Sequence, residues 1–131
     1  MAAAGSGAAS AAQSPAQVVR AWSVALNKND NEGAARLFAV GARVVQPGVD
    51  VRLTTHRLAV EFNTALPCAG AITRIQPKYG GLVATFVLGE RPKHRCDGPG
   101  AKAAALFVVS GGKIVLWAQV PVPAAPKQPT A

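Results

Sequence analysis

The chain has 131 residues, half of them hydrophobic, which suffices for one packed domain but not for two of ordinary size. Its net charge is +8, and it has only six Asp and Glu, so candidates for acid–base chemistry are few. No apolar run approaches the about 18 residues of a membrane span, and residues 1–13 lack the features of a secretory signal. We expect a cytoplasmic protein with a flexible Ala- and Gly-rich tail (1–13), one domain (14–121) and a Pro-rich tail (122–131).

The first predicted helix has a clear start signal. Ser14 suits the N-cap and forms a capping box with Gln17. The apolar residues that follow share one helical face: Val18, Val19, Trp22, Ala25 and Leu26. After a polar turn, a shorter second helix is predicted, with Phe38 among its apolar residues and Gly41 at its end.

A short strand is predicted at residues 43–46, where Pro47-Gly48 stops it. Thr54 or Thr55 then caps a third helix, which Pro67 closes. From Ala69 the pattern is typical of β structure. We predict strands at 71–76, 82–88, 103–109 and 113–120, with an irregular polar segment over residues 89–100.

The last two strands form a hairpin, because Gly111-Gly112 is a strong two-residue turn signal. This loop pairs Val109 with Ile114, Phe107 with Leu116, and Leu106 with Trp117. Alternation then divides the residues between two faces. One face carries Ala104, Leu106, Val108, Val115, Trp117 and Gln119, and the other Ala105, Phe107, Val109, Ile114, Leu116 and Ala118. Both faces are apolar, so we expect a homodimer through the outer sheet face.

The order of these elements, together with segments 21–26, 30–38, 44–48, 55–66 and 107–119, resembles the nuclear transport factor 2-like, SnoaL-like superfamily. The resemblance covers nearly all of residues 14–121. It implies an α+β fold in which three N-terminal helices cover a cone-shaped, curved antiparallel sheet, also described as a cystatin-like α+β barrel. It also implies a deep apolar cavity between sheet and helices. Members include limonene-epoxide hydrolases, ketosteroid isomerases, polyketide cyclases, dehydratases and non-catalytic transport or scaffold proteins, so the fold alone does not select a function.

The resemblance does not extend to the acidic catalytic residues of these enzymes. The closing strand resembles the Trp-x-Asp of the epoxide hydrolases, but Gln119 stands in place of the acid, two residues after Trp117. An amide holds a ligand oxygen but is no general acid or base at neutral pH. Strand 82–88 has no charged residue for the Arg-x-Asp pair of those enzymes. The one tyrosine, Tyr79, lies in a turn and is not placed as the donor of an isomerase.

Two residues remain as catalytic candidates. Asp97 precedes Gly98-Pro99-Gly100, at a bend that can aim its carboxylate at a cavity mouth, although an Asx-type turn is the alternative. His94 is a candidate base, or a solvated member of a basic run. The predicted ligand-binding residues are Trp22, Gln46, Phe62, Trp117 and Gln119. The aromatic residues among them are otherwise core residues, and inward amides need a partner such as a ligand or a buried water.

Cys68 and Cys96 lie 28 positions apart, which is neither a zinc-site spacing nor a redox pair. Two interpretations stay open: two buried thiols, or a disulfide that joins the end of the third helix to the sheet. The motifs predict neither a metal site nor a cofactor.

We expect a homodimeric SnoaL-like domain that binds a small, largely apolar molecule. The first alternative is an enzyme of the epoxide hydrolase, isomerase or polyketide cyclase kind that uses Asp97 or His94. The second is a protein- or nucleic-acid-binding module that works through its positive surface. The basic residues are scattered apart from the run at residues 91–95, so we expect no nucleic-acid partner and no membrane partner.

Overall fold

Three helices and six strands follow one another along residues 13–124, the part of the chain that this computed structural model describes. They are α1 (Pro15–Asn27), α2 (Asn31–Arg36), β1 (Phe38–Gln46), β2 (Val49–Leu53), α3 (His56–Ala65), β3 (Ala69–Lys78), β4 (Gly81–Gly89), β5 (Lys102–Ser110) and β6 (Lys113–Val120). The predicted tails lie outside the described residues, except for Gln13 and residues 122–124. None of the helices described is long and apolar enough to cross a membrane.

The six strands form one curled sheet in the order β2-β1-β6-β5-β4-β3. The predicted α+β class, with three helices against a curved sheet, is confirmed. The sheet differs from the prediction at one neighbour pair, since β1 and β6 run parallel while every other neighbouring pair is antiparallel. The last strand, β6, lies between β5 and the first strand, β1, and runs in the same direction as β1.

The second helix is shorter than predicted, and the first strand is longer. α2 ends at Arg36 with Leu37 as its C-cap, so the prediction that the helix includes Phe38 and ends at Gly41 is wrong. Phe38 begins β1 and pairs with Ile114 of β6, while its ring packs against Phe62. Contacts with residues distant in sequence therefore override the local helical pattern.

Strand β2 was not predicted. Four of its five residues are exposed, so it lacks the apolar alternation that marks a half-buried strand. It pairs with β1 across the turn at Gly48, and Arg43 donates two hydrogen bonds of 2.9 and 2.7 Å to the carboxylate of Asp50 across this hairpin. The Pro47-Gly48 turn therefore connects two strands.

A β-bulge in β6 corrects the predicted facing of the closing hairpin. Val109 pairs with Ile114 as predicted, but Val108 pairs with Leu116, which leaves Val115 as an extra residue. Beyond the bulge, Trp117 lies opposite Phe107, not opposite Leu106. Trp117 therefore faces the helices with Phe107, and Gln119 remains on the same face as Trp117, opposite Ala105.

Both faces of the sheet are apolar, as the hairpin pattern predicts. The inner face joins the helices in the main core, which includes Val18, Trp22, Phe107, Ile114 and Trp117. The outer face carries a second cluster, termed here the outer cluster: Val83, Ala104, Leu106 and Ala118, with Val45, Val108, Leu116 and Val120 packed against them.

Candidate functional site

A pocket of ≈ 360 Å³ opens between α1, the connection that follows α3, and the inner face of the sheet. Its size lies in the range of small-molecule sites. The lining residues are Trp22, Ser23, Leu26, Gln46, Leu66, Pro67, Cys68, Ala69, Gly70, Phe86, Leu88, Asp97, Ala103, Ala104, Ala105, Trp117 and Gln119.

A run of alanines in β5 provides the space for this pocket. Ala103 lies opposite Phe86 of β4, and Ala105 lies opposite Gln119 of β6. Protein interiors are otherwise close-packed, so a longer side chain at either position would occupy part of the volume. The sequence pattern predicts a strand for these alanines but does not indicate a cavity.

Three buried aromatic residues line the pocket: Trp22, Phe86 and Trp117. The ring of Trp22 meets those of Phe86 and Trp117 at centroid distances of 6.0 and 6.1 Å. The indole Nε1 of Trp117 is buried without a hydrogen-bond partner among the described residues. An unpaired buried donor is costly, and a ligand or an ordered water is a usual acceptor for such a group.

Most polar side chains that line the pocket lie toward its rim, whereas Ser23 is buried. Gln46 is half-buried and Gln119 is exposed, so water can satisfy both amides. Gln119 lies on the helix-facing side of the sheet and lines the pocket, but because it is exposed it does not require a ligand or a buried water as its partner. Asp97 is exposed and is the one charged side chain among the described lining residues.

Cys68 and Cys96 are joined in a disulfide, with their Cα atoms 4.6 Å apart. Of the two interpretations left open by the sequence, the structure has the disulfide. The bond joins the segment after α3 to the β4–β5 loop, and not to a strand of the sheet. Asp97 follows Cys96 directly, so the disulfide helps to fix the carboxylate at the rim of the pocket.

The same loop is anchored by Arg91, which begins the basic run at residues 91–95. Its side chain is 2% exposed. The guanidinium donates to the backbone carbonyls of Asn63 and Leu66 at 2.7 and 2.8 Å, and to the side-chain oxygens of Asn29 and Asn31. Burial lowers the pKa of Arg91 from its ordinary value. The carbonyls at the end of α3 favour a positive charge there.

The structure gathers most, but not all, of the predicted site residues. Trp22, Gln46, Asp97, Trp117 and Gln119 line one pocket. Phe62 and His94 are not among the described lining residues. Phe62 packs behind the pocket against Phe38 and Trp117, at centroid distances of 5.8 and 5.2 Å. The backbone N–H of His94 donates to the carbonyl of Arg91 within the β4–β5 loop.

Comparisons with known proteins support the fold. No protein-family model matches the sequence, and no curated protein matches it either. An NTF2-like protein of unknown function from Cytophaga hutchinsonii is similar in structure, with 10% identity over 84% of this chain and 91% of that chain and a TM-score of 0.67. A protein from Catenulispora acidiphila with a ketosteroid isomerase-like fold, solved in complex with trimethylamine, has 16% identity over 82% and 87% of the two chains and a TM-score of 0.65.

A candidate polyketide cyclase from Sinorhizobium meliloti has 16% identity over 79% of this chain and 94% of that chain, with a TM-score of 0.63. At these identities the comparisons show the fold. The predicted nuclear transport factor 2-like fold is therefore confirmed.

Proposed function

We propose that this chain, which has the nuclear transport factor 2-like fold, binds a small, largely apolar molecule in the pocket between α1 and the sheet. The observation that supports this most directly is the pocket of ≈ 360 Å³, lined by Trp22, Phe86 and Trp117 and by the small alanines of β5. Pockets of this size with mostly apolar walls and a few polar groups are typical ligand sites.

The composition of the walls also bears on the kind of ligand. The amides and the carboxylate lie at the rim, while the aromatic residues are buried together with the small hydroxyl residue Ser23. A ligand would therefore place its apolar part against the aromatic rings and its polar part toward the rim. The Catenulispora acidiphila protein of similar fold, which was solved in complex with trimethylamine, is a precedent for a small organic molecule on this scaffold.

The two tryptophans give a direct assay for binding. The chain has two tryptophans, and both of them line the pocket, so intrinsic fluorescence reports its occupancy. Titration with terpenoid epoxides, steroids and aromatic polyketides should give a saturable change for at least one compound. Ala105→Leu, which fills the pocket from β5, should abolish that change, whereas Ala101→Leu, outside the lining, should retain it. A folded protein that responds neither to this panel nor to small alkylated ammonium compounds would refute the proposal.

Catalysis is the second candidate function, and one observation favours it. Asp97 lines the pocket and is its one charged side chain among the described residues, so a carboxylate is available to act as a base on a bound molecule. Asp97→Asn should then remove turnover of an epoxide or ketosteroid substrate while leaving binding intact. Turnover that persists in this variant would exclude Asp97. His94 stays a weaker candidate, because it is not among the lining residues.

We also propose that two copies associate through the outer cluster. The cluster lies on the sheet face opposite the helices, and its four central residues are already buried within the chain. Its half-exposed members would make the contact, since neighbouring apolar side chains at a surface mark interaction sites: Val45, Val108, Leu116 and Val120.

A further inference from the structure

The charge at the pocket differs from that of the chain as a whole. Lys and Arg outnumber Asp and Glu by fourteen to six, yet the described lining residues include one carboxylate and no Lys, Arg or His. The other polar side chains of the lining, Ser23, Gln46 and Gln119, are neutral. A single fixed negative charge favours a cation over an anion of the same shape.

The carboxylate of Asp97 is free to meet a ligand. Among residues 13–124 it forms no salt bridge, and its Oδ1 lies 3.9 Å from the sulfur of Cys68. That sulfur belongs to a disulfide and carries no hydrogen, so it does not donate a hydrogen bond. The disulfide at Cys96 and the buried Arg91 hold the same loop, so the backbone that carries this charge is held beside the rim of the pocket.

The aromatic walls favour the same kind of ligand. The faces of aromatic rings are electronegative and attract a cation that lies within about 6 Å of a ring centroid, an effect of about two- to thirty-fold in affinity. Trp22, Phe86 and Trp117 supply such rings in a buried setting. An ammonium group that carries methyl groups in place of hydrogens combines positive charge with apolar surface, and so matches both the rings and the carboxylate.

From this combination we infer that the ligand is a small organic cation, an alkylated ammonium compound whose charge lies between the aromatic wall and Asp97. The inference rests on the proposed binding function and specifies its ligand class. The net charge of +8 opposes the approach of a cation from a distance. At physiological ionic strength, however, exposed charges are screened beyond about 8 Å, so the groups in contact with the ligand decide the preference.

Choline and its neutral carbon isostere dimethylbutanol, in which a carbon atom replaces the nitrogen, test this inference on the full chain. Both probes have the same shape, and tryptophan fluorescence or calorimetry at physiological salt gives both affinities. We expect choline to bind at least about ten-fold more tightly than dimethylbutanol. Asp97→Asn should reduce that ratio to about three-fold without changing the affinity for dimethylbutanol, and Asp97→Glu should largely retain it. Asp50→Asn is the matched control, because Asp50 pairs with Arg43 in the exposed β1–β2 hairpin, and it should leave the ratio unchanged.

Equal affinities for the two probes would overturn the inference, and so would a choline preference that Asp97→Asn does not alter. In either case the pocket still binds small molecules, and the proposed function stands. If neither probe binds while compounds of the apolar panel do, the ligand class is wrong and the binding function is right. If the panel and both probes all fail to bind, both proposals are wrong.

Discussion

The indole Nε1 of Trp22 donates a 2.8 Å hydrogen bond to Oδ1 of Asn63, which connects a wall of the pocket to the buried face of α3. The amide of Asn63 also donates to the carbonyl of Ala59, and the backbone carbonyl of Asn63 accepts from Arg91. A continuous path of buried hydrogen bonds therefore runs from the aromatic wall through α3 to the loop that carries Asp97. The same hydrogen bonds therefore contribute to the stability of the fold and hold the walls of the pocket in position.

Asn63→Ala tests the first part of this path. Asn63 is fully buried, and its loss leaves the Trp22 donor and the Ala59 carbonyl without their side-chain partner. We expect a decrease of about 2 to 4 kcal/mol in the free energy of unfolding, measured by chemical denaturation. Thr64→Ala, at an exposed position of the same helix, should change it by less than about 0.5 kcal/mol. Equal effects of the two substitutions would show that the Trp22 bond contributes nothing.

Arg91→Lys tests the anchor of the β4–β5 loop. A lysine ammonium cannot reproduce the planar fork that reaches two carbonyls and two amide oxygens, and hydrogen bonds from charged donors contribute more than neutral ones. We expect a decrease of about 2 to 4 kcal/mol in the free energy of unfolding, measured by chemical denaturation. The matched control is Arg57→Lys, because the side chain of Arg57 is 88% exposed and pairs with Glu61. This control should decrease the free energy of unfolding by less than about 0.5 kcal/mol. If Arg91→Lys is as stable as the native chain, the loop does not depend on the guanidinium.

Removal of the disulfide should destabilise the domain, because the unfolded chain then gains conformational entropy. The bond closes a loop with a sequence separation of 28, for which the chain-entropy relation gives about 3 to 4 kcal/mol. Thermal and chemical unfolding of Cys68→Ser/Cys96→Ser measure this loss. A reducing agent should lower the stability of the native chain to the level of the double variant and leave the variant unchanged. An unaffected native chain would show that the bond does not form in solution.

Gly70→Ala tests the close approach of β3 and β4 beside the pocket. A Cβ at position 70 would lie 2.5 Å from the carbonyl oxygen of Val87, so the two strands would have to separate. We expect a decrease of about 1 to 3 kcal/mol in the free energy of unfolding, measured by chemical denaturation. Gly89→Ala, in the same strand pair, meets nothing within 4 Å and should be tolerated. If both variants unfold at the same denaturant concentration, the strands have more freedom than this geometry allows.

The proposed dimer is tested by a charge in the outer cluster. Leu116→Glu should separate the subunits, because burial of an unpaired carboxylate in an apolar interface is costly. Sedimentation at micromolar concentration should give a dimer for the native chain and a monomer for this variant. Val24→Glu places the same charge on α1, where the side chain is already 52% exposed, and should leave the dimer intact. A monomeric native chain would contradict the proposal.

The sequence predicted those elements whose signals are local. The capping box at Ser14 and Gln17 fixes the start of α1, and Gly111-Gly112 fixes the turn between β5 and β6. The boundary between α2 and β1 depends on pairing with β6, which is distant in sequence, and the exposed strand β2 has no alternating pattern. These are the places where the prediction differs from the structure.

The candidate site was predictable where alternation along a strand sets the direction of a side chain. Gln46, Trp117 and Gln119 reach one pocket in this way, and Trp22 joins them from the apolar face of α1. The role of Arg91 was not predictable, because its acceptors lie on backbone and side chains 25 to 62 positions away. Within a run of basic residues, a buried arginine has the same local sequence as a solvated one.

The extra residue at Val115 reverses, within β6, which side chains face the helices. On the hairpin side of the bulge, the even-numbered Ile114 points toward the helices, whereas beyond it the odd-numbered Trp117 and Gln119 do so. Deletion of this one residue would keep the composition of the strand nearly constant and yet turn the indole and the amide to the opposite face of the sheet. The number of residues in this strand therefore determines which side chains line the pocket, in addition to their identities. When relatives are aligned, a gap on the wrong side of position 115 would assign pocket residues to the outer cluster.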